Sequence, residues 1–207
     1  MSARGTVVAV PTDLSTDEGI ARLAEAVGER WDHLDILVNN AGASWGEPLD
    51  QFSPAGWDKV MNVNVRSVFF LTQQLLPLLR AAATADHPAR VINTGSVNGL
   101  TPPEMDTFSY SSSKAAVHML TRHLAKELAD DHITVNAIAP GPFDSAMMAF
   151  ALDDPAIRSG VASGVPLGRI GVPDDMAGVA IYLASAAASY VTGAVIPVGG
   201  GLSTVAK

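Results

Sequence analysis

Short β-branched runs at residues 6–10, 36–38, 90–94, 134–138 and 194–198 alternate with longer amphipathic stretches, and that alternation narrows the fold more than any other feature. Parallel strands cannot be joined by a tight turn, so a strand, an amphipathic helix and a further strand make the repeating unit of a parallel sheet. The five runs predict a doubly wound α/β sheet of about five strands with flanking helices. Ser15-Thr-Asp-Glu18 has the form of a capping box and opens a helix through about residue 30, with Ile20, Leu23, Ala24 and Val27 on one face. Ser53-Pro54 reads as N-cap and first residue of a long helix that runs past Leu79, with Pro77 predicting a kink or an early end. A helix over about 109–130 carries Val117, Leu120, Leu124 and Leu128 at helical spacing, residues 143–166 form a looser segment, and a last helix covers about 173–184. Without repeats, low-complexity tracts or a linker, residues 1–207 read as one domain.

With 48% hydrophobic and 16% charged residues the chain can bury a large core. The lack of cysteine excludes a disulfide framework, thiol catalysis and Cys-ligated zinc. No charged-then-apolar leader is present and no apolar run approaches the ~18 to 20 residues of a membrane span, which predicts a cytoplasmic protein without membrane contact. A net charge of -8 and a pI near 4.9 argue against a nucleic-acid surface. His33, His87, His118, His123 and His132 show no ligand spacing and read as surface residues, so no metal site is expected.

In an open α/β sheet, ligands gather beyond the carboxyl ends of the strands. Asp13, Asn39-Asn40-Ala41-Gly42, Ser96 and Pro140-Gly141 follow the first four runs and would line one crevice. Tyr110 and Lys114 are four apart on a predicted helix and leave the same face. A phenol titrates near ~10, too high for ready acid or base work, and a neighbouring ammonium would lower it. Ser96 can then hydrogen-bond a substrate oxygen, and Asn64, inside the long helix, could add a polar link through water toward Lys114. Each residue also has a plainer reading. Ser96 could cap a turn, Asn39-Asn40-Ala41-Gly42 could be an ordinary αL turn, and Asn64 could satisfy a kinked helix. It is the combination that points to hydride transfer on a carbonyl or alcohol. Met147, Met148 and Phe150 fit an apolar substrate wall, core packing or a lid equally well.

The order and approximate spacing of Asn39-Asn40-Ala41-Gly42, Asn64, Ser96, Tyr110, Lys114, Pro140-Gly141 and Val191-Thr192-Gly193 resemble the short-chain dehydrogenase/reductase (SDR) family over essentially the whole chain. The resemblance implies a Rossmann-like fold and a small carbonyl or alcohol substrate. It implies that Tyr110 is the proton donor or acceptor, that Ser96 orients the reacting oxygen, that Lys114 lowers the tyrosine and holds the nicotinamide ribose, and that Asn64 supports a proton relay. It further implies cofactor contacts for NADP or NAD at Asp13, Leu14, Asn39, Ala41, Gly42, Tyr110, Lys114, Pro140, Gly141 and Ser145. Dimers or tetramers are expected through the two long helices and the last strand. Leu34-Asp-Ile-Leu-Val-Asn-Asn-Ala-Gly-Ala-Ser-Trp-Gly46 and Gln73-Gln-Leu-Leu-Pro-Leu-Leu-Arg80 look most like bacterial β-ketoacyl reductases of the rhamnolipid type, which points to a 3-oxoacyl thioester, although related enzymes reduce ketoacyl thioesters, sugars, steroids and small ketones on nearly the same framework and fold-level analogy does not choose among them.

Two departures stand against the family pattern. Gly199 occupies a position where relatives commonly carry aspartate. By the same resemblance, members open with two strands, a helix and a Gly-rich turn whose backbone N–H groups hold pyrophosphate, roughly fifty residues without a counterpart in this sequence. Their absence predicts weaker cofactor binding, a gap in the sheet that residues 6–10 could close by pairing beside the next strand, and an under-covered apolar face. Three readings stay open: a reductase whose activity belongs to a longer chain, a shortened chain active through oligomerisation, and a non-enzymatic remnant acting as a structural subunit.

Overall fold

The computed structural model describes residues 5–145, 148 and 152–205. Among the described residues the sheet has four strands, β1 (Ile36–Asn39), β2 (Ala89–Thr94), β3 (Ile133–Pro140) and β4 (Val195–Val198), all parallel and in the order β1-β2-β3-β4. The fifth expected strand does not form. Residues 6–10 are irregular and Val7 is 86% exposed. A β-branched run becomes a strand only where a neighbouring backbone completes its ladder. Residues 6–10 find none, and among the described residues nothing pairs with the outer edge of β1.

Among the described residues the α-helices are α1 (Asp17–Gly28), α2 (Pro54–Met61), α3 (Ser67–Ala82), α4 (Phe108–Glu127), α5 (Pro155–Gly164) and α6 (Pro173–Ala184). The cap of α1 is Thr16 rather than Ser15: Thr16 has extended backbone angles and its Oγ1 accepts from the Gly19 N–H at 3.0 Å, while the Ser15 N–H donates to the Asp13 carboxylate at 2.9 Å. Ser53 caps α2 as expected, accepting from the Gly56 N–H at 3.2 Å, and α3 continues through Pro77 to Ala82. The expected loose segment contains α5, capped by Asp154 with Pro155 in its first position.

One face of the sheet is covered by α1, α3 and α4, which bury Leu37, Leu71, Leu75, Leu79, Val91 and Val135 in the larger core. On the other face α6 packs Leu183 against Ile92 and Ile138. All of β2 and β3 is buried except the last residue of each, the mark of parallel strands covered on both sides. In β1 the α6 side is bare, with Ile36 40% and Val38 50% exposed, as expected for an under-covered face.

Candidate active site

Tyr110, Lys114 and His118 recur every fourth residue on α4 and face the segment Thr94-Gly95-Ser96 that leaves β2. Lys114 is 3% exposed, and its Nζ donates to the Thr94 carbonyl at 2.7 Å while lying 5.5 Å from the centre of the Tyr110 ring. Burial disfavours the ammonium and pulls Lys114 down to about 8. Tyr110 moves the other way: burial raises it above the ordinary phenol range, and only the Ser96 hydroxyl beside it works against that rise. The expectation that Lys114 lowers the phenol is therefore corrected for the free protein. The ammonium is held by a carbonyl and is itself weakened as a cation, so desolvation of the phenolate prevails.

Ser96 is buried, and its Oγ accepts from the Asn98 N–H at 3.1 Å, capping the short turn Val97–Gly99. Capping and proximity to Tyr110 thus occur in the same residue. Asn64 sits in a π-helical turn, Asn62–Arg66, between α2 and α3. Such a turn inserts an extra residue into the helix, a feature common at functional sites. Its Oδ1 accepts from the Ala43 N–H at 2.8 Å, and its Nδ2 donates to the Ala43 carbonyl and to Ser113 Oγ, each at 2.9 Å. The amide satisfies a loop and α4 rather than its own helix, and the polar link runs to Ser113, the neighbour of Lys114. A Cβ on Gly42 would lie 3.5 Å from Asn64 Oδ1 and 3.7 Å from Lys114 Nζ, so Gly42, Asn64 and Lys114 meet at one point.

The other expected cofactor positions fall into two groups. Asp13 is exposed and its carboxylate, bonded by Ser15, sits below the usual range; Leu14 shares an apolar hollow of about 180 Å³ with Leu37, Val38, Asn39 and Ala41. The Asn39 side chain turns inward, donating to Asn93 Oδ1 at 2.9 Å and Thr72 Oγ1 at 3.2 Å, which ties β1 to β2 and α3. On the opposite side Gly141 N–H donates to the Val198 carbonyl at 3.0 Å. A Cβ on Gly141 would come within 2.7 Å of Gly199 Cα, and one on Gly199 within 2.9 Å of a Val97 methyl. The missing side chain at Gly199 thus allows the ends of β3 and β4 to close beside Ser96. A cavity of about 290 Å³ opens there, lined by Pro142, Phe143, Val165, Leu167 and Gly199. Ser145 is exposed next to Asp144, whose carboxylate receives Arg158 of α5 at 2.7 Å. Of the apolar wall, Met147 and Phe150 lie outside the described residues.

Two residues escaped the sequence reading. Arg158 anchors α5 to the loop carrying Ser145, a link that spacing does not encode. His118 was expected at the surface together with the other four histidines, which are exposed; it is 3% exposed, and its place four residues after Lys114 was the available signal. Among the described residues no group of His, Cys, Asp or Glu could hold a metal, and no helix is long and apolar enough to cross a membrane.

Lys114 also predicts a pH dependence. Between about pH 8 and the ~10.4 of an unfolded lysine, the unfolded chain binds a proton that the folded chain has released, so stability rises with pH. Above about pH 10 the raised Tyr110 reverses the trend, because there the folded state holds the extra proton. Urea unfolding from pH 7.5 to 10 should show a gain of about 2 kcal/mol in the wild type that Lys114→Met lacks; equal slopes in the two proteins would refute a depressed Lys114.

A family model described as Enoyl-(Acyl carrier protein) reductase matches residues 1–203. The rhamnolipids biosynthesis 3-oxoacyl-(acyl-carrier-protein) reductase of Pseudomonas aeruginosa is 52% identical over 201 residues, 97% of this chain and 78% of that protein. Acetoacetyl-CoA reductase of Allochromatium vinosum is 37% identical over 202 residues, 97% of this chain and 79% of that protein. Among solved structures, the Pseudomonas aeruginosa RhlG/NADP active-site complex superposes with a TM-score of 0.91 at 52% identity, covering 94% of this chain and 76% of that one. A gluconate 5-dehydrogenase from Burkholderia cenocepacia in complex with NADP and tartrate gives 0.85 at 32% identity, covering 94% and 74%. Likeness of this extent, in sequence and in fold, places the chain in the short-chain dehydrogenase/reductase family of oxidoreductases.

Proposed function

We propose that the protein is an NADP-dependent reductase that interconverts a carbonyl and a secondary alcohol, with 3-oxoacyl thioesters as its substrate class. The observation that carries the reading is the Tyr110 phenol beside the Ser96 hydroxyl, with the buried Lys114 ammonium under its ring. The 3-oxoacyl and acetoacetyl reductases among the relatives favour a thioester over a sugar acid, and favour an enzyme over a structural remnant. The named NADP complexes favour NADP over NAD.

The residues present fit such a cofactor. The side-chain-free surface at Gly42, against Asn64 and Lys114, leaves room for a ligand to approach two polar groups closely. Asp13, Leu14, Asn39, Ala41, Gly42, Tyr110, Lys114, Pro140, Gly141 and Ser145 would hold it. When bound, the nicotinamide supplies the hydride that the carbonyl carbon accepts. Tyr110 donates its phenolic proton to the carbonyl oxygen, which the Ser96 hydroxyl holds in place. A phenol raised above its ordinary range arrives protonated, the form that reduction consumes. Lys114, still largely cationic at pH 7, stabilises the phenolate that results, and Asn64 supports the path by which the proton returns. In the reverse direction the phenolate takes the alcohol proton. The protein would act in the cytoplasm as a dimer or tetramer through α2, α3 and α4, which expose Trp57, Phe69 and Met119.

Titration with NADPH and NADH, followed by nucleotide fluorescence alongside solution mass, tests this reading. Saturable binding that favours NADPH, at a mass two or four times 21.5 kDa, is the expected result, with acetoacetyl-CoA turned over in preference to gluconate. No saturation up to millimolar nucleotide would overturn it.

A further inference from the structure

His118 has no role in the chemistry above, yet it sits against its centre. Its Nε2 accepts from the Ser96 N–H at 3.4 Å, a long bond. A Cβ on Gly95 would lie 2.2 Å from the same nitrogen and one on Gly99 2.9 Å from Cε1, so the imidazole packs directly on the backbone around Ser96. One turn earlier Lys114 holds the Thr94 carbonyl. The two side chains therefore grip both ends of the Thr94-Gly95-Ser96 segment, while the Gly95 N–H between them donates to the Ile138 carbonyl at 2.7 Å.

We propose that His118 is a positioning residue whose neutral Nε2 holds the Ser96 N–H and so aims the Ser96 hydroxyl at the reacting oxygen. To accept there, the ring carries its proton on Nδ1, which is buried and meets no acceptor in full hydrogen-bond geometry, the Gly99 backbone lying beside it as a weak partner. Burial keeps the ring neutral, pushing it down to about 4; the Gly99 backbone opposes this, and the charges of Arg122 and Lys114 add to it. A space-filling apolar residue would pack equally well but would leave a buried N–H unsatisfied, which separates positioning from packing.

The test compares wild type, His118→Leu and His118→Gln in the full chain by amide hydrogen exchange and imidazole nitrogen spectroscopy. The Ser96 amide should exchange about tenfold faster in the Leu variant, the factor for one hydrogen bond, and return close to wild type in Gln, whose side-chain carbonyl can accept. The Val135 amide in the core reports folding and should not move. Unchanged Ser96 exchange in a folded Leu variant overturns the proposal. Should that variant not fold, a wild-type ring protonated on Nε2 overturns it equally. The catalytic consequence rests on the proposed reductase activity: His118→Leu should lower kcat about tenfold with KM little changed, and Gln should restore most of it. If Tyr110→Phe leaves turnover intact, the reductase reading fails, while the exchange result still decides the role of His118.

Discussion

Tyr110→Phe should lower kcat for carbonyl reduction by about a thousandfold, inside the ~10² to 10⁴ that a positioned acid or base contributes. The change removes one oxygen and keeps the ring that packs over the Lys114 ammonium, so the fold and the proposed cofactor contacts of that ring should survive. NADPH affinity and the thermal midpoint should therefore stay close to wild type, and steady-state kinetics with a melt would show the split. Turnover equal to wild type in a folded variant would remove Tyr110 from the chemistry. A fall in stability matching the fall in activity would mean that the phenol matters for packing instead.

The largest effect on stability is expected at Asn64. Leucine has nearly the same shape, so Asn64→Leu opens no cavity, but it strips partners from the Ala43 N–H, the Ala43 carbonyl and the Ser113 hydroxyl together. Each buried group left unsatisfied costs about 1 to 3 kcal/mol; Ala43 is partly open to water and Ser113 keeps its bond to the Tyr110 carbonyl, which brings the sum to about 3 kcal/mol. Urea unfolding should show a lower midpoint with the slope unchanged. Because the loop released is the one after β1, NADPH binding should weaken by at least tenfold in the same variant. A stable variant with intact binding would show that the π-helical turn, rather than the amide, positions the loop.

These contrasts also mark what the sequence could disclose. The Tyr110 and Lys114 relation was legible because helix geometry alone fixes where residues four apart point. The partners of Asn64 were not, since they depend on a π-helical turn that no residue type announces. Residues 6–10 look as strand-like as residues 134–138, yet only the second run has neighbours to pair with: strand formation is a property of two backbones, and a single run encodes half of it. Helix α5 buries no residue completely, so periodicity passed over it, although Asp154-Pro155 carries the cap and the first-turn proline. The direction of the Tyr110 shift was misjudged because burial depends on how distant segments pack, whereas the nearby lysine is visible in the spacing. His118 was misread for the same reason, composition being blind to which face of a helix turns inward.

The open edge of β1 bears on how the protein behaves as a colloid. Only every second residue of a strand turns its N–H and C=O toward a given side, so a strand of four residues offers an incoming chain few hydrogen bonds, too few to seed extended fibres. What remains is a weak adhesive patch, the bare Ile36 and Val38, on a molecule carrying a net charge of -8. Beyond the assembly the helices form, mutual repulsion opposes contact between these patches at low salt, and salt shortens its reach to about 10 Å at 0.1 M. Ionic strength thus becomes the practical control over clustering, and dilution its remedy.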